Sequence, residues 1–346
     1  MQTREPQNAP AFAAHELTPV ATAPRREISR FSTSVIVPTY RRPEQLAGCL
    51  RALARQELPP DQVIVVVRAG DDVSSGVAKS DRGVIPDIVT VERRGQTHAL
   101  NSALERAAGD IVAFTDDDAE PAPDWLARLV THYADPKVGG VGGKVVVPGQ
   151  TSAGSSERYL VGGVSAIGRP HGNHHLGDGP ARDVLWLKGV NMSFRRELCH
   201  FDESLRGDGA QVANDSEIAL RIHAAGWRIV YDPAASVEHF AGPRFDADAR
   251  GTKSIRAMRD AVFNETLVLL RWLPPMARRR AFTYLLLVGV PRGGGPLGAI
   301  KAVAAGRRSP RDAAANCRDA TEARIEALRE WRAERDKPNP TPHAID

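Results

Sequence analysis

Residues 110–118 read DIVAFTDDD: a four-residue apolar run, then Thr115, then Asp116, Asp117 and Asp118 in succession. A short unbroken apolar run of this kind is a strand buried on both faces, and the aspartates mark where it ends. The pattern recurs on working outward. SVIVPTY (34–40) is a strand ending in the turn PTYRRP, and a helix opens at Pro43 with Leu46, Leu50 and Leu53 on one face. QVIVVV (62–67) and DIVTVERR (87–94) are further strands, and residues 96–108 read as a helix with Ala99, Leu100, Ala103, Leu104 and Ala107 turned inward. Strands alternating with helices predict an α/β fold with a mostly parallel central sheet.

Beyond Val147 the rhythm breaks. Gly, Ser and His dominate residues 149–179, and order is expected to return with DVLWLKGVNMSFRRELC (183–199), a helix over 216–225 and the strand WRIVYDP (227–233) closing near His239. Residues 1–30 mix Pro, Ala, Gln and charges without apolar periodicity, which predicts a disordered tail. A last region, 249–346, reads as a basic helical extension: from residue 241 onward there are 20 Lys and Arg against 12 Asp and Glu, whereas the first 240 residues have 26 against 30. The uncharged run 281–291 has 11 residues, too short for the roughly 18 that span a bilayer. Beside Arg278, Arg279 and Arg280 it suits docking on an anionic membrane surface, or else packing on the body of the protein. Hydrophobic residues at 42% and charged residues at 25% exclude a disordered or collagenous chain. Cys49, Cys199 and Cys317 are too far apart for a disulfide scaffold or zinc knuckle, so a cytoplasmic setting is expected. No RNA-binding signature accompanies the basic third, and no nucleic-acid partner is expected.

In a strand, positions i and i+2 share a face, so Asp116 and Asp118 are expected to present two carboxylates together at the strand's end. Ligands of open α/β sheets collect there, and two hard oxygen donors suit Mg²⁺ or Mn²⁺ with a diphosphate. A solvated acidic loop is the other reading of the same residues. Other phosphate-binding designs are excluded. PTYRRP has no glycine where a dinucleotide-binding turn needs G-x-G-x-x-G, and GGVGGK (139–144) is followed by Val145 where a P-loop needs Ser or Thr.

SVIVPTYRR, RGQTHALNSALERAAGDIVAFTDDD, LKGVNMSFRRE and NDSEIALRI, with His239 downstream, together resemble the family 2 glycosyltransferases of GT-A fold over residues 33–240. The resemblance implies a Rossmann-like GT-A domain over 31–248, with a nucleotide-sugar half (31–147) and an acceptor half (148–248). It implies an inverting transferase that uses a nucleotide-diphosphate sugar and a divalent metal, with a glycan or lipid-linked acceptor in surface polysaccharide synthesis. Carried onto this chain, Pro38, Thr39 and Tyr40 would hold the nucleotide. The aspartate motif would meet ribose and metal, through Asp116 and Asp117 for the donor and Asp116, Asp118 and His239 for the metal. LKGVNMSFRRE would line the acceptor pocket through Gly189 and Asn191, with Trp186 either stacking on a sugar or packed in the core.

The catalytic base of the resemblance falls on Asp215, with Glu217 in reserve. Asn214 and Glu217 also read as a helix capping box. One departure concerns the base-reading turn, where this chain has VRAGDD (67–72). Either Asp71 or Arg68 would have to take that role. Two rival readings share the α/β pattern: a sugar nucleotidyltransferase, which would want a glycine-rich loop after the first strand, and a non-catalytic nucleotide-binding or membrane-docking module. His171, His174 and His175 sit among Gly, Asn and Pro and are expected to form a mobile loop rather than a metal cluster.

Overall fold

The structure, a computed structural model, describes residues 31–80, 83–149, 160–243, 245–246 and 254–336. The expected tail (1–30) and the expected domain limit at 248 lie outside these residues. Four strands run parallel in the order β3–β2–β1–β4: β1 (Thr33–Thr39), β2 (Gln62–Arg68), β3 (Asp87–Val91) and β4 (Ile111–Phe114). β5 (Ala119–Pro121) follows β4 but pairs at the far edge, antiparallel to β11 (Arg228–His239). β6 (Val138–Val146) lies parallel to β11. The short pairs β7 (Gly163–Val164) with β8 (Pro170–His171), and β9 (Arg182–Asp183) with β11, bring order to the Gly- and His-rich stretch. β10 (Met192–Arg195) runs antiparallel between β4 and β6.

Alternation along β1 sets the two layers. Val35 and Val37 face Leu46 and Leu50 of helix α1 (Pro43–Ala54), while Ile36 joins the opposite core. There it meets Leu100 of α3 (Gln96–Leu104). Between them α2 (Asp72–Lys79) is a helix that the residue pattern does not announce. α4 (Trp125–Thr131) buries Trp125, Leu126 and Leu129 on the α1 side; α5 (Asn214–Ala224) buries Ile218 and Ile222 on the α3 side. Each such fully buried large side chain contributes about 1.5–3 kcal/mol. α3 stops four residues before the expected end, and α5 starts two residues earlier than expected.

GGVGGK is the middle of β6, and its glycines answer to packing. A Cβ on Gly143 would lie 1.7 Å from the Ala235 carbonyl oxygen, where β11 shifts register between Asp232 and Val237. One on Gly140 would lie 2.5 Å from the Phe194 ring. Glycine here permits strand contact rather than phosphate binding.

The basic extension is helical: α6 (Ile255–Trp272), α7 (Pro275–Leu287), α8 (Pro296–Ala304) and α9 (Pro310–Arg335). Val268, Leu269 and Leu273 of α6 and its C-terminal turn, with Ala281 and Leu285 of α7, belong to the same core as Ile36 and Ile218. Asn264 exchanges two hydrogen bonds with the Arg206 backbone, and Arg271 bridges Asp202 of the body and Glu334 of α9. These helices therefore pack on the sheet domain, and Arg259 and Arg271 of α6 pair with Glu322, Glu326 and Glu334 of α9. No helix among the described residues is long and apolar enough to cross a membrane.

Candidate active site

The C-terminal ends of β1 and β4 lie side by side, with Ile36 opposite Phe114, and this places the PTYRRP turn against the three aspartates. β4 ends at Phe114, so Asp116–Asp118 form a turn between β4 and β5 rather than the strand end expected from alternation. Asp116 and Asp118 still converge. Pairing of β5 with β11 sets His239 opposite Ala119 and brings its imidazole to them. One donor atom from each of Asp116, Asp118 and His239 lies within 4.8 Å of the others. Asp118 Oδ1 and His239 Nε2 face each other at 3.2 Å, yet both are buried and neither has a hydrogen-bond partner among the described residues. Two carboxylates and an imidazole turned on one point with unsatisfied buried lone pairs fit a divalent cation.

The electrostatics agree with that fit. Burial by itself would raise Asp118, but the facing His239, Arg42 and the Gly242 N–H outweigh it and hold the carboxyl well below its usual range. Burial and the Asp118 charge instead raise Asp116. A cation relieves that repulsion.

Asp117 turns the other way. It is fully buried, accepts from Thr39 Oγ1 at 2.6 Å and pairs with Arg42 Nη2 at 2.6 Å, while Arg42 Nη1 reaches Asp118 Oδ2 at 2.9 Å. Asp117 thus locks the turn that the nucleotide reading needs and is absent from the cleft wall. Arg42, which the sequence reading passed over, is the residue that ties turn to carboxylates.

Those elements wall an open cleft of about 860 Å³ that includes Pro38, Thr39, Tyr40, Arg68, Asp116 and Asp118. Arg68 lies 3.8 Å from the Tyr40 ring centre and makes two 2.8 Å hydrogen bonds to Asp246, while Phe245 meets Tyr40 edge-on. Asp71 does not line the cleft. It caps α2 by accepting from Ser74 N and fastens the Arg41 N–H, which leaves Arg68 as the member of that pair on the wall.

Asp215 stands in the first turn of α5, whose N-cap is Ala213 in the left-handed region (φ 75°), a conformation costing alanine about 1 kcal/mol or more. The expected capping box is absent. Asn214 donates instead to Gln96 Oε1 and the Ala210 carbonyl. Asp215 Oδ2 accepts from Gly189 N at 3.0 Å and lies 3.6 Å from Lys188 Nζ. Burial would raise its carboxyl, but Lys188 and the backbone N–H groups of Gly189 and Ser216 lower it below the usual value. Asn214, adjacent in the chain, ties this helix start to Gln96 on the wall of the first cleft.

Beside Asp215 a second cavity, of about 670 Å³, is lined by Ala213 and Ser216 of the α5 start, Trp186, Glu265, Val268 and Leu285 among others. Trp186 is buried and forms its wall. Asn191 is elsewhere. Completely buried, it accepts from Trp125 Nε1 and donates to the Lys144 and Ala235 carbonyls, so three of the four hydrogen bonds its amide can make tie α4, β6 and β11 together and the side chain is out of a sugar's reach. His174 is buried against the Trp186 carbonyl and pushed down to about 4 by burial, a structural histidine rather than part of a mobile loop.

Glu217 pairs with Arg221 at 3.4 Å, and burial raises it to about 7 against the opposing Arg221 charge. A carboxyl with a folded-state pKa above its unfolded value costs stability as pH rises from about 4 to 7. Glu217→Gln removes that loss. The variant should melt close to wild type near pH 4.5 and a few degrees above it near pH 8; a melting difference that does not widen with pH in thermal-shift series contradicts the assignment.

The sequence model of "Glycosyl transferase family 2" matches residues 34–197. Over 222 residues the chain is 30% identical to the Haloferax volcanii glucosyl-dolichyl phosphate glucuronosyltransferase, covering 60% of this chain and 68% of that one. The chain belongs to glycosyl transferase family 2. A second relative of this family 2 chain, the succinoglycan biosynthesis protein ExoM of Rhizobium meliloti, is 27% identical over 58% of this chain and 64% of its own length. Among solved structures, the mannosyltransferase PcManGT from Pyrobaculum calidifontis, in complex with GDP-Man and Mn²⁺, superposes with a TM-score of 0.57 at 23% identity, covering 92% of this chain and 91% of that one. GalNAc-T7 with UDP, GalNAc and Mn²⁺ gives 0.56 at 13% identity over 81% and 55% of the respective chains. These likenesses establish the GT-A fold for this family 2 chain.

Proposed function

We propose that this glycosyltransferase moves a sugar from a nucleotide-diphosphate donor in the first cleft to a hydroxyl of a glycan or lipid-linked acceptor in the second cavity, with inversion at the anomeric carbon. The observation that carries this reading is the placement of Asp215. Its helix start walls the second cavity, and Asn214 beside it donates to Gln96, which lines the first cleft. In a single displacement the acceptor oxygen forms its bond to the anomeric carbon as the bond to the diphosphate oxygen breaks. The hydroxyl proton passes to Asp215 and the nucleoside diphosphate leaves with the electron pair. Asp116, Asp118 and His239 would hold Mg²⁺ or Mn²⁺, whose charge offsets that developing on the leaving diphosphate. Arg42 keeps the Asp118 carboxylate oriented, and the Gly189 N–H keeps Asp215 charged and aimed.

Similarity to a glucosyl-dolichyl phosphate glucuronosyltransferase and to a succinoglycan biosynthesis protein supports an acceptor that is a lipid-linked or growing surface glycan. The test is a panel of UDP-, GDP- and dTDP-sugars with Mn²⁺, read by nucleoside diphosphate release and by product mass. Release with at least one donor, increased by acceptor, is expected. Nucleotide binding without release from any donor would instead favour a non-catalytic binding module.

A further inference from the structure

We infer that the outer face of α7 and α8 docks the protein on an anionic lipid bilayer. Residues exposed along α7 fall on one side, at Met276, Arg279, Arg280, Thr283 and Leu287. α8 buries none of its side chains, although its composition, PLGAIKAVA, is that of a core helix; Leu297 is 56% and Ile300 66% exposed. The two helices form one surface. A Cβ on Gly298 would strike the Val288 carbonyl oxygen at 2.0 Å, and one on Gly295 would meet the Leu286 carbonyl oxygen at 2.4 Å, so the start of α8 is pressed against the end of α7. The tip of the β7–β8 hairpin adds to it. Gly168 rests on the Arg280 carbonyl, and its neighbour Ile167 is 71% exposed.

Charge selects the partner. From residue 266 to 311 the chain has no Asp or Glu and nine Lys or Arg. Arg271 and Arg292 are consumed in ion pairs with Asp202, Glu334 and Glu265, and Arg278 donates to the Leu273 carbonyl. Arg279, Arg280, Lys301 and Arg307 remain exposed, without an ion pair to any described residue. Apolar side chains rimmed by unneutralised cations are what a bilayer interface with anionic headgroups accepts, while a second copy of the same face would set like charges together. The packing that seats α6 and α7 on the sheet domain serves this arrangement by holding the face rigid. It also places the surface next to the second cavity, since Leu285 lines the cavity and Leu287 lies on the face. A docked molecule would therefore receive a lipid-linked acceptor without leaving the membrane, and that consequence alone rests on the transferase reading.

Sedimentation of the full chain with vesicles needs no donor, so its outcome is separate from the question of transfer. With phosphatidylcholine vesicles carrying phosphatidylglycerol at low salt, the bound fraction should exceed that with pure phosphatidylcholine by roughly tenfold or more, and fall in high salt. Leu297→Ser with Ile300→Ser, and separately Arg279→Gln with Arg280→Gln, should each remove most of that binding while leaving the circular dichroism spectrum and melting temperature unchanged, because all four side chains are exposed. No binding to anionic vesicles, equal binding to neutral ones, or a dimer in sedimentation velocity that the same substitutions disperse would overturn the inference.

Discussion

Asp118→Ala should abolish the gain in donor affinity that Mn²⁺ provides and lower transfer by at least about a hundredfold. The argument rests on how thoroughly the surrounding structure prepares this one carboxylate. Oδ2 is held by Arg42 at 2.9 Å and by the Gly242 N–H at 2.7 Å, which leaves Oδ1 beside His239 as a buried acceptor with no hydrogen-bond partner among the described residues. Arg42 keeps its bond to Asp117 when Asp118 is removed, so the turn at PTYRRP stays anchored and the fold should survive. Asp118→Asn is the sharper control. It preserves volume and one acceptor oxygen for Gly242 while discarding the negative charge, and it should behave like alanine toward Mn²⁺ and melt below wild type, because the pairing that holds the Asp118 carboxyl below its usual range stabilises the fold only while it is ionised. Calorimetry of nucleotide binding with and without Mn²⁺ decides the matter. If wild type and both variants bind equally with and without the ion, the triad is a structural ion pair and the reaction needs another source of positive charge.

The parts of this site that could be read from the sequence are those whose cause is local. DIVAFTDDD and SVIVPTY announce themselves because strands buried on both faces must be apolar without interruption, and the sheet order follows from alternation with helices. The convergence of Asp118 with His239, which the family resemblance implied and the local pattern did not, has a different origin. It depends on β5, three residues long and written AEP, crossing to pair with the end of β11, and a strand that short has no period to detect. Arg42 looked like any turn arginine until the adjacency of β1 and β4 set it against two carboxylates. Asn191 misled for the converse reason: an amide in an acceptor-like motif is as apt for tying strands as for holding sugar, and only its three internal hydrogen bonds show which use was made. In α2, DVSSGVAK combines β-branched residues, serines and a glycine, all poor helix formers, so the helix rests on the Asp71 cap and on packing. α8 is hidden for a similar reason: the run PRGGGP (291–296) leading into it has the composition of a turn, yet Gly295 and Gly298 serve there to let two helices touch.

Asp215→Asn should reduce transfer by about a hundredfold to ten-thousandfold and leave donor affinity nearly unchanged. Gly189 N–H and Ser216 N–H meet different carboxylate oxygens, and asparagine keeps one acceptor oxygen and the same volume, so it retains one of these two bonds and the start of α5 with the strained Ala213 before it stays close to its wild-type geometry. What is lost is the capacity to take a proton. Because Lys188 and those N–H groups hold the Asp215 carboxyl below its ordinary value despite its burial, the base is already ionised at any pH where the protein is handled. Its own acid limb in kcat/KM should therefore lie below the ordinary carboxylate range, and any limb seen nearer neutrality belongs to another group. Glu217→Gln supplies the internal comparison: Glu217 is buried on the Arg221 side of the same helix, raised to about 7, and its loss should leave transfer intact. The two variants separate two mechanisms. A base at Asp215 predicts a collapse in kcat with Asp215→Asn and a flat acid side in wild type. A base at Glu217 predicts the collapse with Glu217→Gln and a wild-type limb near pH 7. Steady-state rates for both variants across about pH 5 to 9, with a saturating donor, distinguish these outcomes, and full activity in both would exclude carboxylate assistance from this helix.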